Sequence, residues 1–159
     1  MTNFIIRKAK KEDSQTILNL INGIAKYEKM ENEVVATKES IEKSIFDLNQ
    51  AEVLIAEENN VPVGFALYFY NYSTFFGKAN IYLEDIFVYE KYRKRGYGKK
   101  LFFEVVKIAK ENNASRIDWL CLNWNKPAID FYLKLGAKPM KNWTLFRLTE
   151  NEINNLTKQ

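Results

Sequence analysis

Two adjacent carboxylates, Glu84 and Asp85, interrupt the otherwise apolar run Ile81-Tyr-Leu-Glu-Asp-Ile-Phe-Val88. An ionised carboxylate buried without a partner is costly, so at least one of them should face a water-filled cleft or a cation. In a regular strand the two would point to opposite faces of the sheet. Shortly after, Arg93-Lys-Arg-Gly-Tyr-Gly98 crowds with Lys91, Lys99 and Lys100 around two glycines. Glycine lets successive amide N–H groups turn into one concavity, and the N–H groups opening the next helix add to it, which suits a diphosphate. On the glycines alone, a solvated strand-to-helix turn is the favoured reading of the same segment. A third segment, Trp124-Asn-Lys-Pro-Ala-Ile-Asp-Phe-Tyr132, has Asn125 as a candidate cap and Pro127 near the first helical turn. Periodicity by itself makes Tyr132 a core aromatic.

Composition narrows the chemistry. The 159 residues contain no histidine and one cysteine, Cys121. That removes Ser-His-Asp and Cys-His nucleophile arrangements, the HExxH helix, and His-containing or all-cysteine zinc sites, so no metal is expected. Catalysis would have to run on carboxylates, Tyr, Lys or backbone amides. Two nucleotide motifs also fail. Nothing matches a Walker loop, and a GxGxxG fingerprint would need glycine where Leu101 stands. No segment approaches the roughly 20 apolar residues of a membrane span, and the N-terminus does not read as a signal peptide. A membrane partner is therefore not expected, and the cytoplasm is the expected location. The net charge is +4, with 24 basic and 20 acidic residues. That is too mild an excess to favour a nucleic-acid partner, because outside the loop the bases are interspersed with acids.

The elements that must position these residues follow from apolar spacing. Phe4–Ile6 reads as a strand, followed by a helix with Ile17, Leu20, Ile21 and Ile24 on one face. Thr37–Phe46 reads as a second amphipathic helix. Ala51–Glu57 and Val63–Tyr70 read as strands on either side of the turn Glu58–Pro62, which predicts a hairpin. Ala79–Val88 predicts a long strand, Tyr89–Gly98 a basic loop, and Lys99–Lys110 a helix. Ile117–Leu122 predicts a strand and Ala128–Leu135 a helix stopped by Gly136. Trp143–Leu148 predicts a last strand before a polar turn or helix. The order predicts one α/β domain over residues 1–159, built on a mixed, mostly antiparallel sheet flanked by helices.

Taken together, the three chemical segments resemble the Gcn5-related N-acetyltransferase (GNAT) superfamily. Its motif is Arg or Gln-x-x-Gly-x-Gly or Ala, which Arg93-Lys-Arg-Gly96-Tyr-Gly98 matches between a long strand and a helix. Ala25-Lys-Tyr-Glu28, Tyr82-Leu-Glu-Asp85 and Trp124-Asn125 to Tyr132 resemble the spermidine/spermine group, which includes thialysine acetyltransferases. The likeness runs from Phe4 to Leu148. It implies a GNAT-type fold and direct transfer of the acetyl group of acetyl-CoA to a small-molecule amine, without a covalent enzyme intermediate.

By this resemblance, Arg93, Lys94, Arg95, Gly96, Tyr97, Gly98 and Lys99 form the coenzyme A diphosphate loop. The backbone of Ile86, Phe87 and Val88 pairs with the pantetheine arm, and Asn125, Lys126, Pro127 and Ala128 contact its remainder. Glu84 is the implied general base, Asp85 helps attract the cation, and Tyr132 serves the departing thiolate. Tyr27, Glu28 and Trp143 line the implied acceptor site. Lys141-Asn142 stand before Trp143 where the polyamine group leads one to expect acids. Polyamines and diamines are the first expected acceptors and lysine-like amino acids such as thialysine the second. A homodimer is implied by resemblance only. Two readings of other classes are a nucleic-acid-binding module, from the basic loop, and a CoA-binding regulatory domain without catalysis, against which Glu84 and Tyr132 speak.

Overall fold

Val53, Leu54, Ile55 and Ala56 are all buried, so this strand must be covered on both faces, and two groups of helices do so. The structure, a computed structural model, describes residues 1–158. In chain order it contains β1 (Phe4–Lys8), α1 (Ser14–Tyr27), α2 (Lys38–Ile41), β2 (Glu52–Glu58), β3 (Val61–Ser73), β4 (Lys78–Val88), α3 (Tyr97–Glu111), β5 (Ile117–Trp119), α4 (Lys126–Lys134) and α5 (Glu150–Leu156). The five strands form one sheet in the order β1-β2-β3-β4-β5. The first three pairings are antiparallel and the last, β4 with β5, is parallel. This is the α/β architecture with a mixed, mostly antiparallel sheet that the sequence predicts. The chain divides into two compact units, Met1–Leu120 and the part from Cys121 on.

In the first unit α1 and α2 cover one face of the sheet. Ile17 and Leu20 of α1, Ile41 of α2 and Ile45 beyond it meet Val53, Ile55, Phe65 and Phe87. The intervening residues, Leu54, Ala56, Ala66, Tyr68, Ile81 and Leu83, face the other side, where α3 supplies buried Leu101, Phe102, Val105 and Ala109. Arg7 ties three elements together. Its guanidinium donates to Asp13, just before α1, at 2.7 and 2.9 Å and to Glu57 on β2 at 2.6 and 2.9 Å.

The β2–β3 hairpin turns on Asn59 and Asn60, both left-handed at φ 52° and 65°. Paired positive φ values in a two-residue loop match the right-handed twist of the strands. The second predicted helix is only partly α-helical. Thr37 caps α2 by accepting from the Ser40 amide at 3.1 Å, but the chain widens into a π-helical turn over Glu42–Asp47.

In the second unit, α4 begins at Lys126, one residue after Asn125, and ends where the sequence places its stop. Gly136, at φ 90°, donates its amide to Leu133, and the Ala137 amide reaches the Tyr132 carbonyl at 3.1 Å. Two strand predictions need correcting. The predicted strand Ile117–Leu122 is confined to Ile117–Trp119, and Trp143–Leu148 forms no strand. The segment 143–148 is rich in apolar residues, but a strand exists only when another strand pairs with it, and among the described residues none pairs with this segment.

Gly64 carries a close approach between β3 and β4. A Cβ at this position would stand 2.5 Å from the Phe87 carbonyl oxygen, which is backbone and cannot rotate away. At Gly98 the added atom would meet nothing within 4 Å. Gly64→Ala should therefore destabilise the fold by about 1–3 kcal/mol, whereas Gly98→Ala should melt with the wild type. Equal melting temperatures for the two variants would contradict this packing.

Candidate active site

The first unit holds two features that could act on a substrate: an acidic cluster and a glycine loop. The cluster comes from an irregularity in β4. Leu83 lies opposite Tyr68 and Asp85 opposite Leu67, so Glu84 is an extra residue with no partner on β3. Directly opposed residues share a face. Asp85 therefore joins Leu67 and Phe65 on the α1 face, whereas without the bulge it would follow Leu83 toward α3. The alternation expected from the sequence, one carboxylate to each face, is replaced by a bulge that re-aims Asp85.

Glu28, which caps the C-terminus of α1, belongs to the same cluster. Burial first, then the Glu84 and Glu28 carboxylates, pushes the Asp85 carboxyl up to about 7. Burial and the Glu84 charge also raise the Glu28 carboxyl above its usual range. Glu84 itself is exposed and Asp85 half-buried. Among the described residues no group of acids or Cys is arranged to hold a metal ion. A crowd of like charges with limited water is relieved by a bound cation or a proton.

The bulge coincides with an opening in the sheet. β5 pairs with β4 at Ile81, Tyr82 and Leu83 and stops there. From Glu84 to Val88, the side of β4 away from β3 has no strand partner among the described residues. Such an edge can accept an extended ligand as if it were another strand.

The loop after β4 is shaped by two left-handed residues, Lys94 at φ 63° and Gly96 at φ 78°. Gly96 directly precedes α3, and the first intrahelical bond is donated by Lys100 at 3.0 Å. The amides of Tyr97, Gly98 and Lys99 are thus the unpaired donors of a helix start, beside open space at Gly98. This arrangement fits a diphosphate.

The side chains of the loop have separate fates. Arg95 clamps both oxygens of Glu58 at 2.7 and 2.8 Å, and the Tyr97 hydroxyl donates to the same carboxylate. Tyr97, then Arg95, hold the Glu58 carboxyl below its usual range. Tyr97 is buried, with its ring stacked 4.0 Å from that of Phe4. Arg93 donates through Nε to the Val88 carbonyl at 2.9 Å. Lys94 and Lys99 are exposed. Sequence reasoning missed the partnership of Arg95 and Tyr97 with Glu58, and no local signal announces it.

In the second unit, Asn125 precedes α4, Pro127 occupies its first turn, and Lys126 pairs with Asp130 at 3.5 Å. Tyr132 is half-buried, and burial, then Cys121, pushes its phenol up to about 12. Trp143 is exposed in a stretch without regular structure.

The profile described as Acetyltransferase (GNAT) family matches residues 18–137. The chain belongs to the GNAT acetyltransferase family. This acetyltransferase is an acyl-CoA-dependent enzyme that acts on amines. It is 36% identical over 159 residues to a thialysine N-epsilon-acetyltransferase of Sus scrofa, covering 92% of this chain and 93% of that one. An L-ornithine N5-acetyltransferase of Arabidopsis thaliana is 39% identical over 119 residues, 74% of this chain and 52% of that one. An integron cassette protein from V. cholerae shares the fold with a TM-score of 0.82 at 23% identity, over 98% of both chains.

The raised Asp85 carboxyl sets a sign for stability. It binds its proton more tightly folded than unfolded, so its stabilising contribution is full below about pH 4 and is lost as pH rises through about 7. Asp85→Asn removes that loss. The melting temperature of Asp85→Asn minus that of the wild type should grow between pH 5 and pH 8, by roughly 2–8 °C for about 1–2 kcal/mol. A difference independent of pH would place Asp85 outside the cluster.

Proposed function

We propose that residues 1–159 act as one acetyltransferase domain that moves the acetyl group of acetyl-CoA to the terminal amine of a lysine-like amino acid. The observation that carries this reading is the meeting of Glu28, Glu84 and Asp85 beside the open stretch of β4. That edge suits a pantetheine arm running along Ile86, Phe87 and Val88, with one backbone N–H polarising the thioester carbonyl. The amides of Tyr97, Gly98 and Lys99, with Lys94 and Lys99, suit the diphosphate.

The amine arrives as an ammonium with pKa near 10.4, so freeing its lone pair at neutral pH costs about 4–5 kcal/mol. The acidic cluster attracts that cation, and Glu84 takes its proton, directly or through water. The nitrogen then attacks the carbonyl carbon, the C–N bond forms, the C–S bond breaks to release the CoA thiolate, and the second proton on the nitrogen passes to solvent, leaving a neutral amide. Tyr132 keeps its proton up to about 12, whereas a thiol loses its own near 8.5. In this reading the phenol stabilises the leaving thiolate by a hydrogen bond and does not surrender its proton outright.

Tyr27, Glu28, Asp85 and Trp143 are assigned to the acceptor, and Asn125, Lys126, Pro127 and Ala128 to the pantetheine. The lysine-like class is supported by the thialysine and ornithine acetyltransferases among the relatives. It is also supported by Lys141, which can pair with an α-carboxylate and repels a polycation. Polyamines or diamines are the second reading, favoured by the three clustered carboxylates and by a human spermidine/spermine acetyltransferase-like relative that is 31% identical. The working form is proposed to be a cytoplasmic homodimer.

A thiol-release assay at fixed acetyl-CoA with thialysine, ornithine, spermidine and putrescine tests the class, with fastest turnover expected on the two amino acids. Spermidine turning over fastest would move the assignment to polyamines. Glu84→Gln should lower kcat about 100-fold, as removal of a general base does. Tyr132→Phe should lower kcat with little change in the amine KM. Wild-type rates in either variant would remove that residue's role.

A further inference from the structure

Arg93 opens the glycine loop, yet its side chain is already engaged on two sides. Its Nε donates to the carbonyl of Val88, the last residue of β4, at 2.9 Å. Its guanidinium carbon lies 4.5 Å from the centroid of the Tyr27 ring and 5.6 Å from that of Phe87. Tyr27 ends α1 and precedes Glu28, a member of the acidic cluster. A single half-buried side chain thus touches the strand assigned to the thioester and the helix end assigned to the amine.

We propose that Arg93 is a positioning residue that holds the acceptor side of the site in register with the donor side, by stacking on Tyr27 while its Nε anchors Val88. This rests on the function proposed above, in which Tyr27 and Glu28 serve the amine and Val88 the pantetheine. A guanidinium is flat and weakly hydrated, so it can lie against an aromatic face and donate in its own plane at once. The two roles belong to different atoms, which makes them separable. Glutamine places an amide nitrogen at the same distance along the side chain as the arginine Nε, and it has no atoms where the guanidinium carbon lies. The family motif admits either residue at this position. Gln therefore retains the anchor to Val88, and only Arg adds the contact to Tyr27.

The experiment is a double-mutant cycle on the full chain with Arg93→Gln, Tyr27→Leu and the pair, read as amine KM, kcat and the Kd for CoA. Arg93→Gln should raise the amine KM about 10-fold and leave the CoA Kd within about threefold. The double variant should match Tyr27→Leu alone, because the contact can be lost only once. Arg93→Ala, which also loses the Val88 anchor, should in addition lower kcat. An unchanged amine KM in Arg93→Gln, a CoA Kd weakened 10-fold by it, or effects that multiply in the double variant would each overturn the inference. If the wild type turns over none of the four amines, the functional reading itself fails and the inference falls with it. An active wild type with any of those overturning results condemns the role of Arg93 alone.

Discussion

One extra residue in β4 governs the geometry of the first unit. Glu84 has no partner on β3, and where it is inserted the parallel pairing with β5 also ends. A bulge bends its strand and increases the local twist, so a short neighbour cannot follow it. The same insertion shifts the phase of every later residue, which carries Asp85 from the α3 face to the α1 face. Opening the edge for a ligand and gathering the acids are thus two results of one backbone event.

The acids are held together against their own repulsion. Burial raises Asp85 before any charge is considered, and Glu84 and Glu28 raise it further. Such an arrangement opposes stability unless a proton or a cation relieves it. The chain tolerates it because the surrounding frame is well packed: Phe87 lies in the core cluster two residues on, and Gly64 lets β3 approach the Phe87 carbonyl closely. An enzyme whose substrate is an ammonium has a physical use for that unrelieved charge.

The basic loop divides its labour in an analogous way. Arg95 and Tyr97 turn to Glu58 on the β2–β3 hairpin, and Tyr97 also stacks on Phe4, so the start of α3 is fixed to two strands. Arg93 turns to Val88 and Tyr27. With these side chains engaged, the backbone amides and the exposed Lys94 and Lys99 are what the loop can offer an anion. Net charge in the sequence therefore overstates how many cations are available to a ligand, because a bidentate carboxylate partner neutralises one of them.

The sequence by itself determined the element types of the first unit, the glycine turn before α3, the Gly136 stop of α4 and the family, because these depend on local spacing and on motifs a few residues long. It also exposed the adjacent acids Glu84 and Asp85, whose presence in an apolar run is the one sequence sign of an interrupted strand. Only the tertiary structure decided which face those acids take, since a bulge exists only relative to a partner strand. It likewise decided which cations are spent on Glu58 or Tyr27, contacts that join positions 37 and 66 residues apart. The strand expected over 143–148 failed for the same reason: apolar residues describe one chain segment, and a strand needs two.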